Sequence, residues 1–184
     1  MKLILASGSP RRKQLLSQLD VPFEIKVADI DEQINPNNPL KEEIEKLSFL
    51  KAHEVFKDNE DAVVIGADTI VTIDDKVLGK PHSKEEAKEM LNLLQDNKHT
   101  VITAVTIMDK EHHDTFSVLS DVYFYPMSEM EIDEYIKTEE PMDKAGAYAI
   151  QGIGSKFIKK IDGDYYAIMG FPIGEVYRKL QRYL

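Results

Sequence analysis

The chain has 184 residues, 42% of them hydrophobic and 30% charged, which is typical of a globular protein with a sizeable core. No apolar run reaches the roughly 18 residues of a membrane-spanning helix, and the absence of cysteine excludes disulfides and thiolate metal sites. A net charge of −10 argues against nucleic acid or an anionic membrane surface as a partner, and a cytoplasmic location is expected.

The sequence begins with an apolar run, a turn and an amphipathic helix. Leu3–Ala6 has the length of a buried strand, Ser7 follows in the turn, and Ser9 is a favourable N-cap for the helix. Arg11 and Arg12 fall in the first helical turn, where the helix dipole disfavours cations. An anion such as a phosphate, bound between these arginines and the free backbone N–H groups, would explain them. The alternative is a solvated arginine pair on a surface helix.

A cluster of acids follows the second predicted strand, Val21–Val27. Three of the four residues in Asp29–Glu32 are acidic, and their oxygens could coordinate Mg²⁺ or simply be solvated at the strand exit. The next predicted helix, Leu40–Lys57, carries Lys51 beside its apolar positions. This lysine therefore points either inward along the rim or to water.

The most apolar run, Ala62–Ala67, predicts a central strand that ends at Asp68 and Thr69 before the β pattern resumes at Ile70–Ile73. A carboxylate at the end of a buried strand is a common position for a catalytic acid or a metal ligand. The alternative is that Asp68 hydrogen-bonds backbone N–H groups of a turn. Lys80 lies between a glycine and a proline, which suits either a fixed phosphate contact or a turn.

The second half of the chain continues the α/β pattern. Gln151 lies at the centre of a glycine-rich segment, where its amide could read a nucleobase edge or merely satisfy the loop. His112 and His113 lie in a polar turn and are expected to be solvated rather than metal ligands. The remaining predicted elements are a helix capped by Ser83, strands Thr100–Met108 and Thr115–Tyr125, a helix Glu129–Thr138, a hairpin of Lys156–Ile161 with Tyr165–Met169, and a closing helix from Phe171 to near Leu184.

Several of these stretches, in this order, resemble the motifs of the Maf family of nucleotide pyrophosphatases, once called septum formation inhibitors. The resemblance extends from Leu3 to the last helix. It implies an α/β fold similar to that of inosine triphosphate pyrophosphatases, with an elongated mixed β-sheet flanked by helices and a deep central cleft, in one domain of two lobes over residues 1–184. The matching stretches are Ala6–Arg12, Gly66–Thr69, Leu78–Pro81, Thr103–Val105, Asp143–Tyr148, Ile150–Gly152 and Asp162–Tyr165.

The resemblance also implies an activity and roles for individual residues. Family members hydrolyse a nucleoside triphosphate to the monophosphate and pyrophosphate with a divalent metal cation, Mg²⁺ or Mn²⁺. Asp68 would be the proton acceptor that activates water, and the metal would bind carboxylate oxygens of Glu32 and Asp68. Whether Asp68 serves as base, as metal ligand or as both is left open. The Asp68–Thr69 pair, together with Gln151, resembles the branch that acts on dTTP and UTP. The substrate-selecting positions are Arg11, Thr69 and Gln151, and the other cleft residues are Ser7, Arg12, Glu32, Lys51 and Lys80.

Two functions from different classes are compatible with these residues. One is a dTTP/UTP pyrophosphatase, and the other is a nucleotide-binding regulator of septation that does not need turnover. A candidate base beside an anion-binding cradle favours the enzyme, because a pure sensor would not require the base. The expected partner is a small-molecule nucleoside triphosphate, nucleic acid and membrane are not expected, and a homodimer is left open.

Overall fold

The computed structural model describes residues 2–35 and 37–183, and these residues form seven β-strands and six α-helices. Leu184, near which the closing helix was predicted to end, lies outside the described residues. The strands are β1 (Lys2–Leu5), β2 (Glu24–Ile25), β3 (Ala62–Ile73), β4 (Lys76–Leu78), β5 (Lys98–Met108), β6 (His113–Phe124) and β7 (Ile158–Asp162). The helices are α1 (Pro10–Ser17), α2 (Leu40–Phe56), α3 (Lys84–Leu94), α4 (Glu129–Lys137), α5 (Tyr165–Ile168) and α6 (Ile173–Leu180), with 3₁₀ turns at Glu140–Asp143, Ala145–Ala147 and Ile153–Phe157.

The strands form one mixed sheet in the order β2-β1-β3-β5-β6-β7, with β4 paired to β3. β1 is parallel to both β2 and β3, whereas β4 is antiparallel to β3 and β7 is antiparallel to β6. The α/β class and the mixed sheet flanked by helices are therefore confirmed. The predicted cleft and the single two-lobed domain over residues 1–184 stay predictions.

The chain divides into two compact units. The first comprises the described residues up to Thr69, Thr103–Val118 and those from Gly170, and the second comprises Ile70–Ile102 and Leu119–Met169. Residues predicted to share one site therefore fall in different units. Asp68 and Thr69 end the first unit's share of β3.

Each unit has its own apolar packing. In the second unit, α3 buries Ala87, Met90, Leu91 and Leu94. The predicted Ser83 cap of this helix is confirmed by a hydrogen bond of 3.1 Å from the Glu86 N–H to Ser83 Oγ. The first unit's cluster of buried residues is Ile4, Ala6, Ala52, Val55, Ala62, Val64 and Met108.

No helix in the described part of the chain is both long and apolar enough to span a membrane.

Helices α1 and α2 belong to opposite faces of the parallel strands. The chain passes from β1 through α1 to β2 on one side of β1, and then through α2 to β3 on the other side. Because parallel crossovers are right-handed, this reversal of direction puts the two helices on opposite faces. Open α/β sheets bind ligands at the carboxyl ends of the strands where the order reverses, which here is the end of β1.

Two predicted strands differ from the observed ones. The predicted strand Val21–Val27 is reduced to two residues, because only Glu24 and Ile25 pair with β1. The predicted break at Asp68 was wrong, since β3 runs without interruption from Ala62 to Ile73. Asp68 and Thr69 can lie inside the strand because their side chains have partners, Lys51 for Asp68 and Arg12 for Thr69.

The predicted hairpin of Lys156–Ile161 with Tyr165–Met169 was also wrong. β7 pairs with β6, and the chain after β7 enters the short helix α5. Asp164 is the cause, because its Oδ1 accepts hydrogen bonds from the N–H groups of Tyr166 at 2.7 Å and Ala167 at 3.2 Å. An aspartate that caps two N–H groups begins a helix instead of closing a hairpin turn.

Gly66 allows α2 to pack directly against β3. A Cβ atom at this position would lie 2.4 Å from the carbonyl oxygen of Ser48 and 2.6 Å from the backbone nitrogen of Ala52. Both atoms belong to the α2 backbone, so they cannot move without the helix. Glycine inside a strand commonly marks such a close backbone approach.

We expect Gly66→Ala to lower the free energy of unfolding by about 2–3 kcal/mol, because the added methyl group overpacks a rigid contact. The matched control is Gly174→Ala in helix α6, where a Cβ meets nothing within 4 Å and alanine favours the helix. Urea unfolding of both variants measures the difference. Equal stability of the two variants would contradict the close packing of α2 on β3.

His99, near the start of β5, is a buried histidine of the second unit. Its Nε2 lies 2.7 Å from Tyr148 Oη, and the Phe124 ring packs edge-on against it at 5.3 Å between centroids. Its Nδ1 is buried without a hydrogen-bond partner among the described residues. Burial lowers the pKa of His99 from 6.5 to about 4, although the Asp121 carboxylate opposes this shift.

We expect the free energy of unfolding to fall as the pH drops from 6.5 to 4. In this range the unfolded chain binds a proton at His99 that the folded chain does not bind. The loss is about 1.4 kcal/mol per pH unit and about 3 kcal/mol over the whole range. Urea unfolding across this range measures the slope, and His99→Gln should remove most of it. An unchanged slope in the variant would assign the pH dependence to other groups.

Candidate active site

The turn between β1 and α1 is built from serine hydroxyl groups. Ser9 is the N-cap of α1, and its Oγ accepts a long hydrogen bond of 3.5 Å from the Arg12 N–H. Ser7 is 7% exposed, and its Oγ accepts a hydrogen bond of 3.2 Å from the Ser9 N–H. Pro10 occupies the first helical position. The predicted succession of strand, turn and helix is confirmed.

The Arg12 guanidinium group is held by three hydrogen bonds. Its Nε donates to the carbonyl oxygen of Gly170 at 2.9 Å, Nη1 donates to Ser7 Oγ at 3.2 Å, and Nη2 donates to Thr69 Oγ1 at 3.1 Å. Burial lowers the pKa of Arg12 below its ordinary value, while the Asp68 carboxylate opposes this shift. An arginine stays charged under these conditions. Arg12 is therefore a positive charge of fixed orientation rather than a solvated side chain.

Asp68 and Thr69 are neighbours in sequence but face opposite sides of β3. Successive strand residues alternate between faces. Thr69 contacts Arg12 of α1, whereas Asp68 contacts Lys51 of α2, as Gly66 on the same face also packs against α2. The two polar residues therefore contact different helices from opposite faces of β3.

Lys51 points inward from α2, so the alternative prediction that its side chain points to water is wrong. It is 8% exposed, and its Nζ lies 3.0 Å from Asp68 Oδ1 and 3.0 Å from Glu32 Oε1. The Asp68 side chain is 14% exposed and the Glu32 side chain is 58% exposed. One ammonium group thus joins an inner carboxylate to an outer one.

Glu32 and Asp68 fit one mode of metal binding. Mg²⁺ is commonly held by one or two carboxylates, with water and substrate phosphates completing its six ligands. Within residues 2–35 and 37–183, no group of three or more His, Cys, Asp or Glu side chains is arranged to hold a metal ion. The donor set therefore suits a cation completed by phosphate oxygens, and it does not form an all-protein cage.

The other predicted site residues are placed as follows. Arg11 is half-buried, and its positive charge contributes to lowering the pKa of Arg12. Lys80 and Gln151 lie in the second unit, and both are exposed. The first unit brings together Ser7, Arg12 and Thr69, and it separately joins Lys51 to Asp68 and Glu32.

One backbone hydrogen bond joins the segments that contain Lys80 and Gln151. The Gly146 N–H donates to the carbonyl oxygen of Gly79 at 3.1 Å, which connects the turn before Lys80 to the glycine-rich segment.

His112, which was expected to be solvated, is partly exposed but stacks on Tyr183 with ring centroids 4.6 Å apart. Its neighbour His113 begins β6.

Thr103 and Gly170 support the site but were not predicted as site residues. Thr103 belongs to one of the motif stretches, and Gly170 belongs to none of them. Thr103 is fully buried, and its Oγ1 lies 2.8 Å from Thr69 Oγ1. Gly170 has φ +103°, and a Cβ there would lie 3.4 Å from Thr69 Oγ1 and 3.6 Å from Arg12 Nε. The close approach at Gly66 could have been predicted, because a glycine within an apolar strand often marks contact with another backbone. Nothing local marks Thr103 or Gly170.

Comparison with known proteins assigns this chain to a family. The chain is 49% identical to the dTTP/UTP pyrophosphatase of Bacillus velezensis over 182 residues, which cover 99% of this chain and 96% of that protein. It is 48% identical to the dTTP/UTP pyrophosphatase of Bacillus mycoides and 47% identical to that of Bacillus cereus, in each case over 99% of this chain and 95% of the relative. The model of the Maf-like protein family matches residues 2–183. The chain belongs to the Maf-like protein family.

Proposed function

We propose that this protein is a pyrophosphatase that hydrolyses dTTP and UTP to the nucleoside monophosphate and pyrophosphate. The observation that carries the proposal is the ion pair between the buried Lys51 and Asp68, on the strand that also presents Thr69 to the fixed Arg12. The activity named for the relatives of 47–49% identity agrees with it. The septation regulator without turnover is not favoured, because no such name occurs among these relatives.

In this proposal, the phosphates of the substrate bind at the beginning of α1. A triphosphate carries about four negative charges, and charge-assisted hydrogen bonds from arginine suit phosphate oxygens. Arg12 is oriented toward this role by its three protein contacts, which use three of its five N–H bonds. Arg11, Ser7 and the N–H groups of the first helical turn are further donors for an anion at this helix end.

The reaction is proposed to begin with attack of water on the α-phosphorus. Asp68 accepts a proton from this water, the new oxygen–phosphorus bond forms, and the bond from phosphorus to the bridging oxygen breaks. Pyrophosphate leaves with the electron pair of that bond. Lys51 keeps Asp68 in place, because its ammonium group holds Oδ1 at 3.0 Å.

A divalent cation, Mg²⁺ or Mn²⁺, is part of this proposal. Glu32 and Asp68 are the carboxylates that would hold it. When bound, such a cation neutralises phosphate charge and makes phosphorus more electrophilic.

Roles for the remaining predicted residues come from the motif resemblance. Lys80 is proposed as a phosphate contact, and Thr69 and Gln151 as residues that select the substrate. The amide of Gln151 offers both a donor and an acceptor, as the edge of thymine or uracil does. A cytoplasmic location and one domain over residues 1–184 belong to the same proposal, while a homodimer is left open.

The decisive experiment is pyrophosphate release by the purified protein from a panel of pyrimidine and purine triphosphates, with Mg²⁺ and with Mn²⁺. We expect turnover of dTTP and UTP in preference to dCTP and the purines. Preference for a purine would contradict the roles of Thr69 and Gln151 but retain the reaction. Binding of nucleotides without any turnover would contradict the enzyme and support the regulator.

A further inference from the structure

Gln151 lies in a segment that needs outside support to hold one conformation. The residue is exposed and belongs to no helix or strand. Gly152 follows it with φ +144°, a backbone conformation that glycine adopts at little cost and that other residues rarely adopt. A side chain that selects between similar bases must be held in position, because misplacement removes the difference between correct and incorrect hydrogen bonds.

Two side chains outside the segment hold its backbone on both sides of Gln151. Before it, the Ala149 N–H donates to Tyr135 Oη at 3.1 Å. After it, the Ile153 N–H donates to Glu140 Oε1 at 2.9 Å, and the Gly154 N–H donates to Glu140 Oε2 at 2.8 Å. Tyr135 and Glu140, which we call the clamp, therefore fix the backbone two residues before Gln151 and two and three residues after it.

The clamp is itself internally bonded. Tyr135 is 1% exposed, and its hydroxyl donates to Glu140 Oε2 at 2.7 Å. Burial raises the pKa of Glu140, but the hydrogen bonds from Tyr135, Ile153 and Gly154 outweigh burial and lower this pKa below its usual value. The side chain is thus a carboxylate, which accepts all three hydrogen bonds and donates none.

The glycines beside Gln151 fit closely against the clamp. A Cβ on Gly152 would lie 2.2 Å from Glu140 Oε1, and a Cβ on Gly154 would lie 2.4 Å from Tyr135 Oη. The segment can approach the clamp this closely only because both positions lack a side chain. The two glycines, the carboxylate and the tyrosine therefore form one matched arrangement.

We propose that Glu140, together with Tyr135, is a positioning residue that fixes the Gln151 amide and thereby sets the selectivity between pyrimidine bases. The inference rests on the proposed function, in which Gln151 selects the substrate. Glu140 makes no contact with substrate in this role and acts only through the backbone of the segment. Neither residue belongs to the motifs that carried the family resemblance.

Glu140→Gln tests the proposal, because the amide has one acceptor oxygen where the carboxylate has two. We measure kcat/KM for dTTP and for dCTP, whose bases differ in the oxygen or amino group at C4 and in the C5-methyl group of thymine. The dTTP/dCTP ratio should fall about tenfold, the usual effect of one charge-assisted hydrogen bond. We expect kcat for dTTP at saturation to change much less than KM. Tyr135→Phe, which removes the hydroxyl, should lower the same ratio.

The double variant Glu140→Gln/Gln151→Ala separates positioning from general stability. If Glu140 acts through Gln151, the double variant should have the same dTTP/dCTP ratio as Gln151→Ala alone. Glu139→Gln is the matched control, since Glu139 is an exposed neighbour paired with Lys84, and its ratio should equal that of the wild type. Equal loss of activity on both nucleotides in Glu140→Gln, or additive effects in the double variant, would overturn the proposal.

Failure of the proposed function has a different signature. If the wild-type protein releases no pyrophosphate from any triphosphate, the enzyme hypothesis fails. The dissociation constants for dTTP and dCTP then replace kcat/KM in the same set of variants. Hydrogen exchange of the Ile153 and Gly154 N–H groups provides the structural readout. Exchange in Glu140→Gln as slow as in the wild type would overturn the clamp itself.

Discussion

Asp68→Asn is expected to lower kcat for pyrophosphate release from dTTP by about 10²–10⁴-fold, the usual contribution of a general base. Asparagine keeps an oxygen that can accept the hydrogen bond from Lys51, but it cannot take a proton from water. The fold should survive, because Glu32 remains as a carboxylate partner of Lys51 at 3.0 Å. We therefore expect nucleotide binding to persist while turnover is lost.

The measurement is single-turnover pyrophosphate release alongside nucleotide binding and thermal unfolding. Asp61→Asn is the matched control, because Asp61 is exposed just before the same strand begins. Its kcat should equal that of the wild type. Turnover in Asp68→Asn within a few-fold of the wild type would transfer the role of the base to another group.

Arg12→Lys is expected to lower kcat/KM for dTTP by about 10²–10³-fold although the charge is unchanged. The three hydrogen bonds of Arg12 come from three different nitrogens and reach Gly170, Ser7 and Thr69. A lysine ammonium is a single point on a flexible stem, so it cannot occupy these positions together and still face a phosphate. Loss of orientation, rather than loss of charge, is the reason for the effect.

Arg11→Lys is the matched control for charge and position on α1. Arg11 has no comparable set of partners within the described residues, so lysine should lower kcat/KM much less than it does at position 12. Thermal unfolding separates a binding defect from a stability defect in each variant. Equal kinetic effects at the two positions would show that the fixed contacts of Arg12 do not matter for the reaction.

The local elements could be predicted because their determinants are close in sequence. Ser9 and Pro10 begin α1, and Ser128 begins α4 with both hydrogen bonds of a capping box. The hairpin was predicted in place of α5 because aspartate favours both turns and helix N-caps, and Asp164 caps α5. The mixed sheet followed from the resemblance, whereas its strand order depends on pairings between distant segments.

The site could be predicted only in part, because its contacts are distant in sequence. Asp68 stood out as an acid after an apolar run, although the strand does not end there. Lys51 carried no signal of its own, since its partner Asp68 lies 17 positions away. Arg12 bonds to Gly170 across 158 positions, and no local pattern encodes that contact. The roles of all these residues in substrate binding and catalysis stay predictions.

The uninterrupted course of β3 makes the number of residues before Asp68 matter as much as their identity. Strand residues alternate between the two faces, so inserting or deleting one residue between Ile65 and Asp68 would exchange the faces of the carboxylate and the following hydroxyl. Asp68 would then point toward α1 and Thr69 toward α2. Single substitutions along this strand can be gradual in their effect, whereas a change of length by an odd number of residues inverts the arrangement at once. Odd-length changes within this stretch are therefore incompatible with the site, whichever residues are added.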